Sequence, residues 1–115
     1  MFINLSNHPS SEWSEEQLKA AKEYGEVIDL SFPNIEPYFT SEDVNELADI
    51  TAEGIVEIDD HAVVHIMGEM TYTYAVVSRL KAKGITCLAS TTERNTFMMG
   101  GKKISEFKFV QFREY

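Results

Sequence analysis

Between Phe2 and Ala89, short apolar runs take turns with helix-patterned stretches, and this alternation constrains the fold more than any other feature of the chain. Phe2-Ile3-Asn4-Leu5 reads as a first strand, ending in the polar loop Ser6 to Ser11. A helix follows, opened by Ser14 and Gln17 at capping-box spacing, with Trp13 and Leu18 placed for a hydrophobic staple across the cap. Gly25 closes it, where a left-handed residue is common. Val27-Ile28-Asp29-Leu30 is a second strand, and a loop holding Pro33 and Pro37 leads to a second helix opening near Thr40 or Ser41. There Val44, Leu47, Ala48, Thr51, Ile55 and Ile58 recur at helical spacing on one face, with Glu42, Asp43, Glu46, Asp49, Glu53 and Glu57 on the remainder.

The third strand, Ala62 to Met67, is almost continuously apolar, as in a parallel sheet covered on both faces. Gly68 to Thr71 is a turn, and a helix from about Thr71 to Lys83 ends at Gly84. A fourth strand holds Cys87 and leaves by the polar segment Ser90 to Asn95. Gly100-Gly101 marks a hairpin tip between Thr96–Met99 and a long last strand from Lys103 to Tyr115. That strand switches phase, with Phe107 and Phe109 on one face and Val110 and Phe112 on the other, which a bulge or burial of both faces explains. The expectation is one Rossmann-like α/β domain over residues 1–115, a mostly parallel sheet flanked by helices with a C-terminal β-hairpin.

The 115 residues suffice for one core and not for two. No apolar run approaches the ~20 residues that span a bilayer, and the N-terminus lacks a signal-peptide pattern, so the expected address is cytoplasmic, with no membrane partner. Cys87 is the single cysteine and reads as a small, inert core residue. A net charge of −9 argues against non-specific binding of duplex nucleic acid. The distribution says more. From Glu23 to Ser78 there are thirteen acids and no Lys or Arg, whereas from Arg79 onward eight basic residues face three acids. An anion site is therefore expected from the C-terminal third.

Ligands of open parallel sheets bind beyond the carboxyl ends of the strands. Three loops are expected to converge there: Ser6 to Ser11 after the first strand, Gly68 to Thr71 after the third, and Ser90 to Asn95 after the fourth. Together they offer hydroxyls, amides, one imidazole and one guanidinium, the inventory of a phosphate or nucleotide site. Two of them run into helix N-termini, whose free N–H groups favour anions. His8 lies at this edge, His65 reads as a satisfied core histidine, and His61 as a solvated one. No dinucleotide fingerprint or phosphate-binding loop with its Lys is present. Neither histidine spacing suited to a metal nor a nucleophile elbow occurs, so neither metal nor cofactor is expected.

Several short matches stand in order along the chain. His65-Ile66-Met67-Gly68-Glu69-Met70-Thr71-Tyr72-Thr73-Tyr74 resembles the strand–Gly–acid–helix turn of small stand-alone CRISPR-associated ring nucleases, a group of CARF-like domains. Ala89-Ser90-Thr91-Thr92-Glu93-Arg94 is similar to their Thr-Thr-x-Arg segment, the tail Lys103 to Tyr115 to their closing strand, and Leu5 to Pro9 with Ser14 to Gln17 to their first loop and helix start. The resemblance implies a homodimer that binds a cyclic oligoadenylate messenger, cyclic tetra-adenylate in the first instance. It further implies metal-independent cutting through the substrate 2′-OH, which switches off type III CRISPR signalling.

Under that resemblance Arg94, Thr92, Thr91 and His8 are the candidate catalytic residues: Arg94 to stabilise charge, the threonines to hold phosphate oxygens or the 2′-OH, His8 to carry a proton. Ser6, Asn7, Ser10, Gly68, Glu69, Met70, Thr71, Ser90 and Asn95 are the candidate ligand-binding residues. Gly68 would let the backbone approach the ligand and Glu69 would orient a hydroxyl. Two alternatives stay open: a module of the same fold that binds the cyclic nucleotide without cutting it, and an unrelated α/β interaction domain.

Overall fold

A computed structural model describes residues 1–115. The strands are β1 (Phe2–Ser6), β2 (Val27–Ser31), β3 (Val63–Met67), β4 (Thr86–Met99) and β5 (Lys102–Glu114). The α-helices are α1 (Glu15–Lys22), α2 (Ser41–Ile58) and α3 (Met70–Ala82), and a 3₁₀ turn spans Ser10–Glu12. The strands form one sheet in the order β2-β1-β3-β4-β5, parallel through β4, with β5 antiparallel to β4. The α/β class and its C-terminal hairpin are as the alternation predicts. No helix is long and apolar enough to cross a membrane.

Strand periodicity sorts the core into two layers. Ile3, Leu5, Val64, Ile66 and Cys87 face α2 and α3, joining Val44, Ala48, Ala52, Ile55, Tyr72, Val76 and Leu80 in the larger cluster. Phe2 and Leu88 face the other way, where Trp13 and Ala21 cover them with Leu18 and Phe112 packed alongside. α2 is opened by Thr40, which accepts from the Asp43 N–H while Asp43 accepts from the Thr40 N–H. α1 makes only half of the expected box. Ser14 accepts from the Gln17 N–H at 3.2 Å, and the Gln17 side chain is buried instead of turning back to the cap. Burial pushes the Cys87 thiol up to about 11, in keeping with an inert core residue.

Ser90 to Asn95 is not a loop. β4 runs unbroken to Met99, pairing first with β3 over Thr86–Leu88 and then with β5 along its whole outer length. Polar residues alternate on a two-stranded ribbon as readily as in a turn, and β5 supplies their ladder partners. The phase switch in β5 has its cause in the register. Thr91 faces Gln111 but Thr92 faces Phe109, so Val110 is the extra residue of a bulge. The bulge sets Phe109 and Phe112 side by side, their ring centroids 4.9 Å apart. Beyond it the ribbon leaves the sheet as an arm, giving the molecule a 49 Å long axis.

Candidate functional site

The strand order changes direction between β1 and β3, so the chain leaves their carboxyl ends toward opposite faces of the sheet, and a crevice opens between the departing loops. A cleft of ≈ 1100 Å³ lies there. Ser6, Asn7 and His8 form one wall, the start of α1 with Trp13 a second, Met67 and Gly68 the back, and β4–β5 the far side through Ser90, Thr92, Asn95 and Phe109. His65 also borders it.

Beneath the cleft a polar row crosses three parallel strands. Register places Asp29, Asn4 and His65 side by side, and all three sit on the α1 face. The Asn4 amide donates to Asp29 Oδ1 at 2.8 Å and to the His8 carbonyl at 3.0 Å. Its Oδ1 accepts from Ser6 Oγ at 2.8 Å and meets His65 Nδ1 at 2.9 Å. Because the Asn4 nitrogen is fixed by two acceptors, its oxygen can only accept, and His65 Nδ1 must carry the proton. In the neutral ring Nε2 is therefore a bare lone pair, and this buried atom has no partner. Burial, with the nearby His8 charge, lowers the His65 pKa to about 4. Desolvation works to raise the Asp29 carboxyl, but hydrogen bonds from Asn4 and Ser10 outweigh it and leave the group below its ordinary value.

Of the sequence-predicted residues, Ser6, Asn7, His8, Gly68, Ser90, Thr92 and Asn95 come together on the cleft. The others have different neighbours. Ser10 is held by Asp29, its hydroxyl donating at 2.8 Å. Thr91 Oγ1 donates to the Gln111 carbonyl at 3.1 Å, inside the ribbon ladder. Arg94 stands out on the arm, Nη2 donating to Ser105 Oγ at 3.2 Å and the guanidinium 5.9 Å over the Phe107 ring. The strand-end position predicted for Arg94 is corrected by the continuation of β4. Met70 is exposed, and the Thr71 hydroxyl is bonded to Glu69.

Glu69 and Gly68 each have a role within the chain itself. The Glu69 carboxylate caps α3, accepting from the Thr71 N–H at 2.6 Å, and these Thr71 bonds hold its carboxyl below its usual value. Gly68 is required by Phe32, since a Cβ there would come within 2.2 Å of the phenyl ring. The helix ends expected to bind an anion are likewise answered by the chain's own oxygens. Ser14 caps α1, whose first turn carries Glu15 and Glu16, and Glu69 caps α3. The cleft sets Glu12, Glu15, Glu16 and Glu106 against the ammonium of Lys108.

Sequence reasoning missed the open nitrogen of His65 and the lining by Trp13, Gln17 and Phe109. The one available signal was that Asn4 and His65 each interrupt an apolar run, with apolar neighbours on both sides. At the amino end of β3, Asp59, Asp60 and His61 hold ligand atoms within 4.8 Å of one another. Asp59 there accepts from the Met1 ammonium at 3.0 Å, and Asp60 meets the His61 ring.

No curated protein and no solved structure matches the chain. A family model does match, over residues 1–113, and the chain belongs to the family that it describes, the Uncharacterized protein MJ1673 family.

Proposed function

We propose that this protein is a ring nuclease, binding cyclic oligoadenylate in the cleft at the carboxyl edge of the sheet and cutting it without a metal. The observation that carries the reading is the convergence of Ser6, Asn7, His8, Ser90, Thr92 and Asn95 on one cleft large enough for a nucleotide. These groups suit a substrate that brings its own nucleophile. The protein needs to hold a ribose 2′-OH in line with the adjacent phosphorus and to stabilise the charge that develops. The 2′-oxygen loses its proton and bonds to phosphorus, the P–O5′ bond breaks, and the 5′-oxygen takes up a proton. The products are a 2′,3′-cyclic phosphate and a 5′-hydroxyl. His8, half exposed at the mouth, is the group placed to move these protons.

Charge makes the second copy part of the reading. One protomer offers Lys108 against four carboxylates, too little for a ring of phosphates. The arm carries Arg94, Lys102 and Lys103, none within salt-bridge distance of an acid in its own chain. In a two-fold dimer each arm would bring these cations to its partner's cleft, and a symmetric ring fits a symmetric interface.

The test is incubation of the purified protein with cyclic tetra-adenylate in EDTA, with products resolved by chromatography. Linear fragments ending in 2′,3′-cyclic phosphate are expected. Tight binding with the ring recovered intact would replace the nuclease by a binding module, and absence of binding would remove the nucleotide reading altogether.

A further inference from the structure

The polar row under the cleft leaves one feature unused by that reaction. His65 is 2% exposed and walled by aromatic rings: Phe2 stacks on it with centroids 6.2 Å apart, and Trp13 and Phe112 meet it edge-on at 5.4 Å each. Its Nδ1 is committed to Asn4, whose own orientation is fixed from Asp29 and the His8 carbonyl. Nε2 is thus a preset acceptor, fixed in tautomer and direction, with nothing donating to it. Leaving such an atom unsatisfied is unfavourable, so a group that donates to it on binding recovers that loss.

We propose that His65 Nε2 is the base-reading acceptor of the cleft, taking a hydrogen bond from the exocyclic amine of an adenine that lodges against Trp13 and Phe109. The inference rests on the cyclic-oligoadenylate reading and adds to it a specificity-determining residue. The chemistry of the lining divides the ligand accordingly. Trp13 and Phe109 edge the cleft beside His65 with most of their surface buried, and would take the base once side chains rotate, while Ser6, Asn7, Thr92 and Lys108 offer polar contacts for sugar and phosphate. A neutral imidazole nitrogen accepts from an amine and repels a carbonyl oxygen. Adenine presents the first at its six-position and hypoxanthine the second. Burial keeps the ring neutral at physiological pH, which preserves the acceptor. Nε2 is covered in the free protein, so the base enters with side-chain rotation of the surrounding groups, a common accompaniment of binding.

The experiment compares the wild type with His65→Phe, which keeps an aromatic ring in the wall and removes the acceptor. Affinities are measured for cyclic tetra-adenylate, its 2′-deoxy analogue and cyclic tetra-inosinate. The wild type is expected to bind both adenine rings at least about tenfold more tightly than the inosine ring, and His65→Phe to level that preference. In ¹⁵N spectra of the wild type, which need no variant, free His65 is expected as the neutral Nδ1–H tautomer, with Nε2 shifting upfield on adding the adenine ring. Equal affinity of the wild type for adenine and inosine rings, or an unaltered preference in a folded His65→Phe, overturns the assignment while leaving the nucleotide reading in place. A loss with the 2′-deoxy ring alone overturns it in favour of a sugar contact. Binding of neither ring overturns the nucleotide reading itself, and the assignment with it.

Discussion

The three-strand heart of the sheet and the β4–β5 arm are both extended strands carrying large apolar residues, yet only one of them has an interior. Leu5, Val64 and Ile66 are fully buried under α2 and α3. On the arm Phe97, Met98, Met99, Phe107 and Val110 are exposed, Phe107 by 67%. Alternation specifies a two-faced strand but not what covers each face. In the heart, right-length connections return a helix to each face. At the arm the chain turns back at once through Gly100 and Gly101, both at positive φ, and no helix stands between the two strands to fold back over them. An isolated two-stranded ribbon is marginal in water, and in the dimer proposed above the partner copy would cover the arm's apolar surface.

The largest effect should fall on the heart. Ile66→Ala is expected to cost about 2–5 kcal/mol in a urea titration, because its neighbours cannot close the cavity. Phe107→Ala should lower stability by no more than about 0.5 kcal/mol in dilute protein and, under the proposed dimer, should weaken self-association instead. Equal losses in the two variants would erase the contrast between the regions.

On the arm the cost should appear in chemistry rather than stability. Under the ring-nuclease reading, Arg94→Ala should slow cleavage by about 10²–10³, or ~2.7–4 kcal/mol, with an unchanged urea midpoint. Arg94→Lys should recover part of this, since an ammonium cannot make the planar two-point contact. Lys102→Ala, at the arm's tip, controls for general attraction. Wild-type rates in Arg94→Ala would confine catalysis to the cleft of one protomer.

A third measurement, of similar or smaller size, separates the regions by pH. His65 titrates at about 4 folded against 6.5 as the ordinary value, so between these pH values the unfolded chain binds the extra proton. Stability should therefore fall as pH drops from about 6.5 to 4, by roughly 3 kcal/mol in all at 1.36 kcal/mol per unit. Asp29, whose carboxyl is held low, adds its own loss only further into acid. His8 is the charge that acts on His65, so His8→Ala should soften the dependence slightly and His65→Phe should remove most of it. A flat wild-type profile would mean that the ring is not held neutral by burial.

What could be read from residues alone followed range. The Thr40 cap, the stop at Gly84 and the strand order of types are local signals, and each stands in the structure. Ser90 to Asn95 was illegible because its pairing partner lies across a hairpin, and serine, threonine and asparagine suit ribbon and turn alike. The capping role of Glu69 was hidden for a related reason: an acid after glycine can face a ligand or cap its own helix, and only backbone direction shows the cap. His65 needed Asn4, 61 residues away, before its free nitrogen could be named.

The single surplus residue in β5 makes chain length, rather than residue type, the guarded quantity near Val110. That side chain is half exposed, and many replacements would fit. Removing the position would do what no replacement can. The frame of everything on one side of it would slip by one place, and because side chains alternate, each would pass to the opposite surface. Either Phe112 would leave its place beside Phe2 and Trp13, or the faces of the arm would exchange, turning its outer surface inward. Divergence among relatives should therefore record free substitution at this point alongside a near-absence of insertions and deletions.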